Sequence, residues 1–201
     1  MHTILCVLCA FYLWSLYMRV IAGTARSLQL VTPKGEDTRP TTDRIKETLF
    51  NMIQFDIQEA VFLDLFAGSG GIGIEALSRG AREAVFVDNN REAYDCIMQN
   101  LTHTKMETQA TVYKQDVFVA LTMMEYHKKF DVVFMDPPYH KELEQRVLEY
   151  LTTSSLVDED TVIIFEAALD TDLSFLDNLP YEVVKIKQYK TNMHVFVKRS
   201  N

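Results

Sequence analysis

Cysteine is scarce in this chain: three among 201 residues, two of them in C-V-L-C at Cys6 and Cys9, the third alone at Cys96. That usage excludes a disulfide framework, and Cys6 and Cys9 lack the second pair or the histidines that a zinc site needs, so no metal is expected. A reducing, cytoplasmic compartment fits it best. Positive charge is the next shortage. Twenty Lys and Arg stand against 28 Asp and Glu, a formal net charge of -8, which excludes a general nucleic-acid coat and leaves room for a local basic patch. Residues 18–50 carry six basic side chains (Arg19, Arg26, Lys34, Arg39, Arg44, Lys46) against four acidic ones (Glu36, Asp37, Asp43, Glu47), a net of +2, whereas residues 51–201 carry 14 against 24. A polyanionic partner is therefore expected at the N-terminal third; chance unevenness on a solvated surface is the alternative.

Residues 1–17, "MHTILCVLCAFYLWSLY", contain no Lys, Arg, Asp or Glu. Without a basic start or a small-residue cleavage site they do not read as a secretory signal. Three readings stay open: Met18 is the true start and the leader an upstream extension of the reading frame, the leader is an anchor at the lower length limit for crossing a bilayer, or it is a helix packed on the domain. The first is preferred, so no membrane partner is expected. Residues 18–201 suffice for one core and not for two comfortable domains, and they hold no internal repeat and no low-complexity tract.

From residue 60 short apolar runs alternate with amphipathic stretches, the pattern of successive βαβ units. Strands are expected at 60–66, 83–88, 110–116, 130–136 and 160–166, with helices over about 71–79, 91–101, 117–125 and 141–151. "YEVVKIKQY" and "MHVFVKR" are separated by only 190–192, too little for a helical crossover, so an antiparallel hairpin should close the chain. The sum is an α/β, doubly wound, seven-stranded sheet whose last strand is reversed. Ahead of it, "TTDRIKETLFNMI" places Ile45, Leu49, Met52 and Ile53 on one helical face, with Thr41 or Thr42 as N-cap.

"LDLFAGSGGIGIEALSRG" (63–80) turns from the first strand into a helix through Gly68, Ser69 and Gly70, and Gly68, Gly70 and Gly73 spell G-x-G-x-x-G with Asp88 twenty residues past the first glycine. Such a loop leaves backbone N–H groups and open space for a flat or anionic ligand, and the spacing alone would suit a dinucleotide. Asp64 argues otherwise. A carboxylate at the end of a buried strand has no role in holding a pyrophosphate, and it wants a cationic partner. S-adenosylmethionine carries an ammonium and a sulfonium and no phosphate, so Asp64 tilts the loop toward this cofactor. Asp88 is placed to accept both ribose hydroxyls and Asp116 the adenine amino group; an N-cap or loop role is the alternative for Asp116 and Asp64. Phe66, Ala67, Asn89 and Val117, beside these residues, complete the expected cofactor site.

"FDVVFMDPPYH" carries what a dinucleotide enzyme does not explain. Two prolines fix the backbone and remove two donors, leaving carbonyls at the sheet edge as acceptors. Asp136, Pro137, Pro138 and Tyr139 then make a slot for a flat group bearing an NH2. Hydrogen bonds from both N–H of a nucleobase amine to Asp136 and the Pro137 carbonyl favour a pyramidal nitrogen, aim its lone pair and stabilise its developing positive charge. Tyr139 stacks on the base, which must leave its helix or loop. Asp136 or water takes the proton.

D-P-P-Y at the end of the fourth strand resembles the amino-methyltransferase motif of class I S-adenosylmethionine-dependent enzymes, whose Rossmann-like fold the pattern above matches. More narrowly, "MRVIAG", "TRPTTDRIKETLFN", "LDLFAGSGGIGIEALSRGA" and "FDVVFMDPPY", in this order, resemble the RsmD family, the 16S rRNA (guanine(966)-N(2))-methyltransferases. The resemblance runs from Met18 nearly to the C-terminus. It implies a small cytoplasmic enzyme, expected as a monomer, that methylates a guanine amino group in 16S rRNA within the small ribosomal subunit or its assembly intermediate. It also favours Met18 as the start and an N-terminal strand or hairpin extension over residues 18–55 that faces RNA. By position Arg19, Arg26, Arg39 and Arg44 are expected at phosphates; Thr41 and Arg44 approach RNA or the cofactor. "Arg26-Ser27" replaces a more glycine-rich, basic turn of the family, and "YKT" at 189–191 replaces a Tyr-Gly. A DNA adenine-N6 or cytosine-N4 methyltransferase would use the same slot but usually needs a target-recognition region for which the chain has no room. A protein-glutamine methyltransferase is expected to show N-P-P-Y, and a non-catalytic binding module leaves residues 136–139 unexplained.

Overall fold

The computed structural model describes residues 18–33 and 42–200. The leader, with Cys6 and Cys9, and the expected RNA contacts Arg39 and Thr41 lie outside the described residues. Strands β1 (Met18–Arg19) and β2 (Gln29–Leu30) form a short antiparallel hairpin. Helix α1 (Asp43–Met52) follows, begun by Thr42, whose hydroxyl oxygen accepts from the Ile45 N–H. Its buried face differs from the expected one. Lys46, Leu49, Phe50 and Ile53 are buried, and Ile45 and Met52 only half-buried, because Lys46 meets a buried anion, Glu75.

The βαβ succession then runs through β3 (Val61–Leu65), α2 (Gly71–Ser78), β4 (Glu83–Val87), α3 (Arg91–Thr104), β5 (Ala110–Tyr113), α4 (Val117–Met124), β6 (Val132–Met135), α5 (Leu143–Leu151) and β7 (Val162–Ala168). The hairpin of β8 (Tyr181–Gln188) and β9 (Asn192–Arg199) ends it. The sheet order is β5-β4-β3-β6-β7-β9-β8, and β9, antiparallel to both neighbours, is the one reversed strand. This is the class I methyltransferase architecture. Strand residues alternate between two cores, as a period of two requires. Val61, Leu63 and Leu65 pack with α4 and α5, whereas Phe62, Phe86 and Phe134 pack with α1, α2 and α3. No helix among the described residues is long and apolar enough to cross a membrane.

From β3 the chain first builds outward through β4 to β5, then returns to lay β6 on the other side of β3. The C-terminal ends of β3 and β6, paired in register through Leu65 and Met135, flank the switch point, where open α/β sheets form their ligand crevice. The glycine loop leaves β3 there, and D-P-P-Y leaves β6. Gly73 sets how closely α2 lies on the sheet: a Cβ at this position would stand 2.3 Å from Phe86 Cε1. Gly73→Ala should cost about 1–3 kcal/mol through overpacking, read as a lower urea midpoint with an unchanged slope.

Candidate active site

The loop after β3 is built in the left-handed region. Phe66 has φ 59°, Gly68 55° and Gly70 74°, the last as N-cap of α2. A phenylalanine there is strained, and such strain collects where a ligand is gripped. Two of the donors in this turn are engaged by carboxylates and a third by a carbonyl. Asp64 Oδ2 accepts from the Gly73 N–H at 2.8 Å and Asp88 Oδ2 from the Gly68 N–H at 2.9 Å, while the Gly70 N–H bonds the Ala67 carbonyl at 2.7 Å. Asp64 is thus partnered from within the chain, on the first turn of α2, which satisfies one of the helix's orphan donors. Its burial, countered in part by Gly73, holds its carboxyl well above the usual range, with the Asp136 and Asp88 charges adding to the rise. The site gathers carboxyl groups around a helix N-terminus.

Asp88 also accepts the Asn90 N–H through Oδ1 at 2.9 Å; Asn89 beside it is exposed. Asp116 is the N-cap of α4: its Oδ1 accepts from the Phe118 and Val119 N–H groups. The cap alternative therefore holds for that oxygen. Val117 is buried. Ser69 is buried with its hydroxyl on the Met18 sulfur at 3.4 Å, which ties the N-terminal strand to the glycine loop.

Across the switch point, Asp136 is half-buried, Pro137 buried, and Pro138 and Tyr139 exposed. Burial first, and the Glu166 charge second, push the Asp136 carboxyl up to about 8. The Tyr139 hydroxyl donates to Glu166 Oε1, so one face of this loop is anchored while the ring stays 39% exposed. The left-handed residues His140 (φ 60°) and Glu142 (φ 53°) then turn the chain into α5.

A family model described as "Conserved hypothetical protein 95" matches residues 18–198. The chain belongs to this family, the RsmD family. Ribosomal RNA small subunit methyltransferase D of Haemophilus influenzae is 36% identical to this RsmD-family chain over 162 residues, 80% of the chain and 84% of the relative. A hypothetical protein of Thermus thermophilus shares its structure with a TM-score of 0.76 at 29% identity, covering 90% of this chain and 99% of that one. SMU.776, solved complexed with SAH, shares the fold with a TM-score of 0.64 at 14% identity, over 87% of this chain and 52% of its own.

Two polar residues beside the D-P-P-Y loop went unforeseen. Glu166, on β7, lies one residue past the pairing of Met135 with Phe165, beside Asp136, and His194 pairs with it from β9. The signal in the sequence was a glutamate in an otherwise apolar strand, "VIIFEAA". Of the expected RNA contacts, Arg26 and Arg44 are exposed, whereas Arg19 is engaged by Asp43 at 2.7 Å. A cationic face there is correspondingly weaker than the residue count suggested.

Proposed function

We propose that this chain methylates the exocyclic N2 amine of a guanine in the 16S rRNA of the small ribosomal subunit, with S-adenosylmethionine as methyl donor. Membership of the family, with relatives named as rRNA methyltransferases, supports S-adenosylmethionine-dependent rRNA methylation. The carrying observation is the set of carboxylates Asp64, Asp88 and Asp136 at the ends of β3, β4 and β6, with the loop's Gly68 and Gly73 N–H groups already occupied by two of them. A pyrophosphate would find two of the loop's donors taken and three carboxyl groups around it, whereas a ligand with an ammonium and a sulfonium favours the charged form of those carboxyls. The residues present therefore fit this cofactor.

Phe66, Ala67, Gly68, Ser69 and Gly70 would wall the cofactor, Asp64 would face its cationic end, Asp88 and Asn89 the ribose, and Asp116 and Val117 the adenine. When bound, S-adenosylmethionine supplies an activated methyl group. Asp136 and the Pro137 carbonyl then hold the two amine hydrogens, orienting the nitrogen lone pair and stabilising the charge that develops on it. Pro138 fixes the turn, and Tyr139 offers its exposed ring to a base taken out of its stack. Asp136, once ionised, receives the proton the amine loses. Arg26, Arg44 and the engaged Arg19, with Arg39 and Thr41, are assigned to the RNA backbone.

The test is nucleoside mass spectrometry after incubation with labelled S-adenosylmethionine and small subunits, naked 16S rRNA or duplex DNA. N2-methylguanosine from the subunits is expected. Label in DNA alone, or in none of the three, overturns the reading.

A further inference from the structure

Beneath the D-P-P-Y loop a polar chain crosses three elements. The Tyr139 hydroxyl donates to Glu166 Oε1, Glu166 Oε2 meets His194 Nε2 at 3.1 Å, and His194 Nδ1 meets the Tyr189 hydroxyl at 3.3 Å. His194 is fully buried and Glu166 nearly so. The imidazole is held edge-on between Phe134, at 5.8 Å and 87°, and Tyr189, at 5.0 Å and 76°. His194 donates from Nε2 to the carboxylate, and its Nδ1 shares a hydrogen with the Tyr189 hydroxyl, a group that can donate or accept. Burial alone would raise the Glu166 carboxyl, but the hydrogen bonds from His194 and Tyr139 outweigh it and hold it below its ordinary value.

A buried glutamate and histidine in an apolar sheet row are expensive unless fully partnered, and an aliphatic pair would fill the row with no such demand. Local rules are broken in this way where a site needs fixing. The ring of a half-exposed tyrosine has two free torsions; a hydroxyl tied to a rigid carboxylate removes that freedom before substrate arrives.

We propose that Glu166 and His194 are positioning residues that lock the Tyr139 ring in the attitude against which the target base stacks, transmitting the rigidity of the reversed strand β9 to the catalytic loop. This rests on the reading of Tyr139 as the base platform given above. Tyr139→Phe keeps the stacking ring and removes the hydroxyl that bonds Glu166, so it separates the lock from stacking.

The experiment is a cycle of Tyr139→Phe, Glu166→Gln and the double variant, assayed on small subunits, with nitrogen-15 NMR of the histidine rings in the protein without substrate. Tyr139→Phe should lower kcat roughly tenfold, the scale of one hydrogen bond to a charged group, with the KM for S-adenosylmethionine unchanged. The double variant should be no slower than the slower single one, and Tyr139→Phe should shift the His194 ring signals. Losses that multiply, or wild-type kcat in Tyr139→Phe with unmoved His194 signals, overturn the lock and leave the functional reading intact if the wild type still forms N2-methylguanosine. A wild type that modifies no RNA overturns that reading and the lock with it.

Discussion

Asp136→Ala is expected to slow methyl transfer by about 100- to 1,000-fold, the usual effect of deleting one preorganised group aimed at charge developing in the transition state. The side chain acts only as the anion, since a protonated carboxyl is a poor acceptor for an amine N–H. Burial and the charge of Glu166 push it up to about 8, so below that pH most of the protein lacking ligands holds it neutral. In the wild type, kcat/KM for S-adenosylmethionine should therefore climb about tenfold per pH unit below 8 and level off above it. A bound cation favours the charged form, so the limb seen in kcat should lie at lower pH. The same shift makes a prediction about stability. The folded chain keeps this proton between the unfolded value near 4 and the folded value near 8, so it binds more protons than the unfolded chain there and loses stability as pH rises through the window. Asp136→Asn removes that loss. Its thermal midpoint should exceed the wild type's at pH 8 and converge on it near pH 4, while its activity falls; a gap of opposite sign would show that the carboxyl is not raised.

The strands, the helices between them and the terminal hairpin were legible because each buries alternate or helically spaced apolar residues, a local property of the chain. The two loops were legible for the same reason: glycine and proline act on their own backbone. What escaped was set by partners distant in sequence. Lys46 reads as solvent-facing until Glu75, 29 residues later, is seen to share its pocket, and this turned the buried face of α1 away from Ile45. His194 reads as an ordinary strand residue until the antiparallel register lays it on Glu166. Asp64 was expected to wait for a cation, but the tight turn brings the Gly73 N–H to it first. Phe66 gave no sign of its left-handed backbone, because the strain is imposed by the sheet and the loop together.

Glu75→Ala should destabilise the fold by about 3–5 kcal/mol, the cost of leaving one member of a buried ion pair without its partner. For a chain of this size that is a drop of roughly 10 °C in the thermal midpoint. Glu75 is fully buried and accepts from the Ile21 N–H at 2.8 Å, the Ala22 N–H at 3.0 Å and Arg79 Nε at 2.7 Å, with Lys46 Nζ at 3.4 Å. Lys46, equally buried, also donates to the Arg19 carbonyl. Burial lowers its ammonium from the ordinary value and Glu75 opposes that effect. Without the carboxylate the two loop amides of Ile21 and Ala22 and a buried ammonium lose their acceptor, whereas Arg79, partly exposed and stacked over Phe50 at 5.0 Å, retains a place to go. Arg79→Ala should accordingly cost much less. The apolar double variant Lys46→Met, Glu75→Leu should recover part of the loss and not all of it, because Ile21 and Ala22 still lack an acceptor. The consequence for function follows from where the hairpin sits. The same carboxylate pins residues 21 and 22 to α2, and Met18 lies on the glycine loop through Ser69. Loosening the hairpin in the double variant should weaken S-adenosylmethionine binding in calorimetry even at temperatures where the sheet remains folded. Unchanged affinity there would show that the N-terminal strand braces the fold without bracing the cofactor loop.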